Sequence, residues 1–333
     1  MTKIQEIRKK CGLTQQEIAN KLGISQQAYG NYERDALSIP AKMMDKIAKI
    51  LMIDSSQLAY EPELENDSIT EFLHKSLTAY HAVHNAISLL EKEGFKELTE
   101  SESWNIKAGG KYYVTKNRSA LIAFMVGDLS HYAFNIASCH TDSPALKIKG
   151  NSLLDSVEGK RINVEKYGGL INYTFLDIPV KIGGRVFVEK ENGMEERLLS
   201  SDFTVNIPSL AIHHNPTVNE GVELKIQSDM LPLLGKCDDL YKALLPNENI
   251  IDADLYCVPF VKPTYTGIDS EFLVSPRIDN LSSLYAILKA IIDANTKGIA
   301  MLYATDNEEI GSLSKQGAES IFLVNVLDRI NVA

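Results

Sequence analysis

Three stretches of this chain carry side chains that could do chemistry in concert. The first is Cys139-His140-Thr141-Asp142-Ser143-Pro144. The second is Ser275-Pro276-Arg277-Ile278-Asp279-Asn280, and the third is Asp306-Asn307-Glu308-Glu309-Ile310-Gly311. A histidine with an aspartate two residues on can hold a metal ion while the aspartate orients the ring or a neighbouring base. Mixed histidine and carboxylate donors suit Zn²⁺, and one shared carboxylate suits a pair of ions. A further glutamate beside a ligand supplies what a metal-activated water needs, a group to take its proton. Each stretch alone also has a plainer reading. His-x-Asp recurs by chance, and Asp279 could simply cap a helix. Glu308 and Glu309 could be solvated residues at a helix start, favoured there by its dipole.

The elements around these stretches must position them. Residues 298–303 form an apolar run with the bulk of a buried strand, and Glu308 and Glu309 follow shortly after it. Residues 111–115, 119–126 and 132–138 are rich in Tyr, Val, Ile and Phe and predict strands, the last running into His140. Residues 69–93 predict one or two amphipathic helices ending at Gly94, with His74 and His84 as packing or capping residues. A further helix is predicted over 281–294. All three stretches therefore fall at strand ends or helix starts, the edge at which open α/β sheets bind ligands. Residues 146–270 differ in character. Short alternating segments are broken by Gly-Gly at 168–169 and 183–184 and by Asn-Gly at 192–193, which predicts a β-rich inserted domain. Such an insert could cover the site or join subunits. The fold class is α/β, with a core over 69–145 and 271–333.

Bulk properties narrow the function classes. A chain of 333 residues with 44% hydrophobic and 23% charged residues has the make-up of a soluble protein of two or three domains. It shows neither a membrane-length apolar segment nor a signal peptide. The four cysteines lie far apart without a CxxC pair, so neither a disulfide framework nor a cysteine zinc site is expected, and a cytoplasmic setting is. The net charge of -10 is uneven. Residues 1–58 hold nine Lys/Arg against six Asp/Glu, a surplus of three, so the remainder carries -13. A basic head on an acidic body suggests two units with different partners.

Residues 1–58 predict a run of short helices. Thr14 and Glu17 form a capping box, Gly23 ends that helix and Ser25 caps the next. Pro40 stands where a first helical residue would be, and Met43, Met44, Ile47, Ile50 and Leu51 give the following helix an apolar face. Leu13-Thr14-Gln15-Gln16-Glu17-Ile18-Ala19, Leu22-Gly23-Ile24-Ser25 and Asn31-Tyr32-Glu33-Arg34 resemble the repressor-type helix-turn-helix of phage Cro and related regulators. That resemblance implies that the helix starting near Ser25 enters the major groove of DNA. Gln26, Gln27 and Asn31 could then read adenine edges while Gln15 meets phosphate. The alternative is a helical module used for protein contacts. Residues 59–68, acidic and containing Pro62, read as a linker.

The three chemical stretches, taken in order, resemble those of the aspartyl aminopeptidases, which are dinuclear zinc exopeptidases. Tyr80-His81-Ala82, Gly109-Gly110-Lys111-Tyr112-Tyr113, Tyr167-Gly168-Gly169 and Ile207-Pro208-Ser209-Leu210-Ala211-Ile212-His213 extend the likeness from about residue 70 to the end. The resemblance implies an α/β/α peptidase core interrupted by a β-rich insert, assembled into a large homo-oligomer that acts on peptides. It implies two zinc ions per subunit, with His140 on one, Asp279 bridging both and Glu309 on the other. It also makes Glu308 the general base, Asp142 a support beneath the site, and His213 a residue that reaches a neighbouring subunit's site. The family uses two further ligands, an Asp and a late His. No histidine follows His214, so the resemblance leads us to expect a C-terminally truncated member whose zinc ions each lack a third ligand. Two functions are thus expected: removal of N-terminal, acidic residues from peptides, or transcriptional regulation by a DNA-binding protein with a peptidase-like body that senses or oligomerises.

Overall fold

The computed structural model describes residues 3–34, 41–51, 68–221 and 223–333. Pro40 and all of the expected linker except Ser68 lie outside them. The chain divides into two compact units, Met1–Leu64 and Glu65–Ala333.

The first unit contains α1 (Lys3–Lys10), α2 (Gln15–Leu22), α3 (Gln26–Arg34) and α4 (Ala41–Leu51). The expected capping box is present, Thr14 accepting from the Glu17 backbone while the Glu17 carboxylate accepts from that of Thr14. Gly23 closes α2 in the left-handed region, and the Ser25 hydroxyl accepts from the Ala28 N–H at 3.1 Å. Ile4, Ile18, Ala19, Tyr29, Ile47, Ala48 and Leu51 form the core. Within it, Glu33 of α3 is fully buried and accepts hydrogen bonds from the Arg8 guanidinium and from Gln15 Nε2 at 2.7 Å. Burial works to raise the Glu33 carboxyl, but the bonds from Arg8 and Gln15 outweigh it and hold it below its ordinary value.

The second unit opens with α5 (Ile69–Lys75) and α6 (Ala79–Lys92), split by a break that the sequence left undecided. Its first sheet uses β1 (Lys96–Glu97), β2 (Lys111–Lys116), β3 (Ala120–Val126) and β4 (Phe134–His140), then a strand from much later in the chain. The second sheet takes β5 (Ala145–Ser156), β6 (Gly159–Tyr167), β7 (Val180–Lys190), β8 (Gly193–Ser200) and β9 (Leu233–Gly235). After α7 (Leu240–Leu244) it is completed by β10 (Ile250–Pro259). A short hairpin, β11 (Thr264–Thr266) with β12 (Phe272–Val274), leads to α8 (Ile278–Ile292), β13 (Ile299–Thr305) and α9 (Phe322–Val332).

The first sheet runs β1-β2-β3-β13-β4. Alternation along its strands sends side chains to two cores. Leu121, Ala123, Leu302 and Ala304 meet Phe72, Val83, Leu284 and Leu288 of α5, α6 and α8. Ile122, Phe124, Met301 and Tyr303 meet Phe322, Val326 and Ile330 of α9. This is the α/β/α layering. The second sheet, β8-β7-β10-β5-β6-β9, is antiparallel throughout and has its own core around Leu146, Val164, Ile182, Val186 and Leu255. All its strands lie between β4 and α8 in sequence. No helix among the described residues is long and apolar enough to cross a membrane.

Candidate metal centre

β4 and β13 are parallel neighbours, with His140 opposite Thr305. That register sets the end of the first chemical stretch beside the start of the third, at the C-terminal edge of both strands. The Thr141 N–H donates to the Thr305 carbonyl at 2.8 Å, locking the two exits together. His140 and Asp142 are both buried, at 8% and 3% exposure. His140 Nδ1 lies 3.1 Å from the Asp142 carbonyl oxygen and 3.3 Å from Asp142 Oδ1. A proton on Nδ1 satisfies those acceptors and leaves the Nε2 lone pair facing outward.

The turn after β13 is built on Asn307, at φ 63, followed by a 3₁₀ turn over Glu308–Ile310. Asp142 holds this turn from below. Its Oδ1 accepts from the Glu308 N–H and its Oδ2 from the Glu309 N–H, each at 3.2 Å. Tyr167, the last residue of β6, donates to Asp142 Oδ2 at 2.8 Å and accepts from Asn307 Nδ2 at 2.9 Å. The Glu309 carboxylate is turned toward the end of β6, where Oε2 accepts from the Gly169 N–H at 3.0 Å. Asp306 is buried behind the turn. Burial, reinforced by the charges of Asp142 and Asp254, pushes its carboxyl up to about 6.

Asp279 comes from the start of α8, at a kink where its backbone is extended (φ -80, ψ 116) before the regular helix begins. An extended backbone is the one a cap residue adopts, so the capping role left open for Asp279 stays compatible with its geometry. Ser143 Oγ donates to the Asp279 carbonyl at 3.2 Å, tying the first stretch to the second. Arg277 is a residue sequence reasoning passed over. Its guanidinium donates to the carbonyls of Pro259 at 2.8 Å and Leu73 at 3.0 Å, and burial pushes its pKa down to about 10.

His140 Nε2 faces two carboxylates, Asp279 Oδ1 at 3.3 Å and Glu308 Oε2 at 3.9 Å. Two ligands at zinc–N and zinc–O distances of about 2.0–2.1 Å in a tetrahedron stand about 3.3 Å apart. The His140–Asp279 pair therefore fits one edge of a zinc site in both donor type and spacing. Among the described residues no three His, Cys, Asp or Glu side chains close into a complete metal-holding group. Burial alone would lower the His140 pKa, but Asp142 and Glu308 outweigh it and raise it to about 9. The pocket thus already favours a positive charge, which a divalent cation would bring in place of the proton.

His213 lies on an exposed turn, and among the described residues it makes no hydrogen bond or ion pair with the His140 cluster. Of the nucleic-acid candidates, Gln26, Gln27 and Asn31 are exposed on α3, Gln27 and Asn31 one turn apart on one face. Gln15 is half-buried and donates to Glu33. Tyr167 and Asn307 were missed as site residues. The signal was an aromatic residue ahead of Gly168-Gly169 at a strand end, and an Asn where the chain turns through positive φ.

The profile of the aminopeptidase I zinc metalloproteases (M18) matches residues 72–244 and 240–333, and a helix-turn-helix profile matches residues 4–58. A probable M18 family aminopeptidase 2 of Clostridium novyi is 41% identical over 286 residues, covering 80% of this chain and 66% of that protein. Aspartyl aminopeptidase 1 of Schizosaccharomyces pombe is 34% identical over 304 residues, covering 78% and 64%. The structure of the S. cerevisiae mApe1 dodecamer superposes with a TM-score of 0.65 at 28% identity, covering 79% of this chain and 65% of that one. The chain thus spans just under two thirds of the length of these curated relatives. On this evidence the chain belongs to the M18 family of aminopeptidase I zinc metalloproteases, joined at its N-terminal side to a helix-turn-helix unit.

Proposed function

We propose that the second unit is a metal-dependent aminopeptidase that removes N-terminal, acidic residues from peptides. The observation that carries this reading is the 3.3 Å approach of His140 Nε2 to Asp279 Oδ1, with Glu308 beside them, at the C-terminal edge of β4 and β13. His140 and Asp279 would hold a zinc ion, and Glu309 a second that Asp279 shares. Zinc, when bound, polarises a carbonyl oxygen and acidifies water. The chain's own groups do the rest. Glu308, with its side chain 55% exposed, reaches the open side and takes the proton of the attacking water. Asp142 keeps the His140 ring in one tautomer and holds the backbone that aims Glu308. The acidic preference is supported by the likeness to an aspartyl aminopeptidase. The mApe1 dodecamer supports a homo-oligomer, with the exposed loop of Leu210, Ile212 and His213 reaching a second subunit.

The test is zinc titration of the purified chain together with hydrolysis of Asp-, Glu- and Leu-aminoacyl substrates. Binding of at least one zinc per subunit with faster turnover of the acidic substrates is expected. Less than about one zinc per two subunits and no hydrolysis would overturn the reading.

A second reading belongs to the first unit, DNA binding, favoured by the exposed amides of Gln26, Gln27 and Asn31 on α3 behind a capped α2. A salt-sensitive mobility shift on inverted-repeat DNA, weakened by Gln27→Ala, is expected. A shift that Gln27→Ala leaves unchanged on every sequence removes base reading by that residue.

A further inference from the structure

We propose that Tyr167 is a positioning residue, which fixes the Glu308-Glu309 turn against His140 from the end of the inserted sheet. The inference rests on the aminopeptidase reading only for its consequence on metal binding.

The Tyr167 ring belongs to the second sheet. It is buried and packs edge-on against Tyr256, centroid to centroid 5.3 Å, so its hydroxyl is delivered at a set point. The direction of each hydrogen bond there is determined. Asn307 Oδ1 already accepts from Ser314 Oγ at 2.6 Å and Gln316 Nε2 at 2.9 Å. Its Nδ2 must therefore be the atom that faces Tyr167, and the phenol accepts. The single phenolic proton is left for Asp142 Oδ2 at 2.8 Å. One hydroxyl thus joins the residue that supports His140 to the residue that starts the glutamate turn. The next two residues continue the contact, since the Gly169 N–H holds Glu309 Oε2. Among the described residues the hydroxyl bonds to Asp142 and Asn307 and not to His140, Asp279 or Glu308, so its action on the centre is through Asp142 and Asn307.

The experiment compares Tyr167→Phe with Tyr113→Phe in the full chain. Tyr113 donates to Glu91 at 2.7 Å in the same unit, and its loss is a purely structural control. Two quantities are read: hydrogen exchange of the 304–313 segment in metal-free protein, and zinc affinity by chelator competition. Tyr167→Phe should speed exchange of the Glu308 and Glu309 amides about tenfold. It should weaken zinc binding by about tenfold to a hundredfold. Tyr113→Phe should change neither. Should Tyr167→Phe fold poorly, Asn307→Gly keeps the positive-φ backbone, removes the side chain with its bonds to Tyr167, Ser314 and Gln316, and gives the same two readouts. Unchanged exchange overturns the proposal, as does faster exchange with zinc affinity within twofold of the parent. If the parent chain binds no zinc, the metalloenzyme reading fails and exchange alone decides whether Tyr167 positions the turn.

Discussion

Gly168→Ala offers a worked test of the contact between the inserted sheet and the glutamate turn. Gly168 has φ +77, a conformation that costs an L-residue about 1–2 kcal/mol. A Cβ there would also stand 2.7 Å from Glu309 Oε2 and 2.8 Å from Glu309 Cβ. The carboxylate tip could swing aside, but the Cβ is fixed to the backbone of the turn and cannot. Glu309 must therefore give up the bond from the Gly169 N–H, worth about 1 kcal/mol at a partly exposed site. The sum is about 2–3 kcal/mol, or a fall of roughly 5–10 °C in the melting temperature of a unit this size. Gly94→Ala is the matched control, because Gly94 has φ +82 and nothing within 4 Å of its added Cβ. It should show the strain alone. The assay is urea unfolding of both variants followed by zinc titration. If Gly168→Ala costs no more than Gly94→Ala and leaves zinc affinity unchanged, the turn is not braced by β6.

Other outcomes follow from single contacts. Glu308→Gln should abolish turnover while zinc stays bound, and turnover near the parent value removes Glu308 from the base role. His81 is buried on α6, and burial first, then the charges of His84 and Arg277, push its pKa down to about 3. Its folded value lies below the unfolded 6.5, so stability is full above pH 6.5 and falls as the pH drops toward 3. At pH 5 the loss is about 2 kcal/mol, and His81→Gln should flatten the slope of urea stability between pH 7 and 5. Glu33→Ala leaves the Arg8 guanidinium without its buried carboxylate, a cost of about 3–5 kcal/mol that a unit of this size cannot absorb. Its helices should become protease-sensitive while the second unit keeps its own transition.

The strands and helices carrying the site were legible because their apolar runs match one period each. Residues 119–126 predicted a strand and Ala120–Val126 form one. The three chemical stretches were legible because their residue types are rare at strand ends. Two things were not. The parallel pairing of β4 with β13 joins segments far apart in sequence, and no local pattern encodes it. The braces Tyr167, Asn307 and Arg277 act through hydroxyl, amide and guanidinium groups whose partners come from other elements, so their types gave no local sign. Glu309 shows the same limit. The family resemblance implied a metal ligand there, while the structure turns its carboxylate to the Gly169 N–H.

The register of β4 against β13 has a consequence for how the chain reaches its fold. Thr141 and Thr305 meet across 164 positions. Closing so long a loop from a disordered chain is slow, and non-local pairing of this kind raises contact order. The second sheet changes that search. Leu146 on β5 pairs with Cys257 on β10, so once this sheet forms, its two ends lie side by side. The flexible path between β4 and β13 is then about threefold shorter, which lowers the closure cost by about 1 kcal/mol. The insert that interrupts the core in sequence therefore helps to bring its two halves together in space.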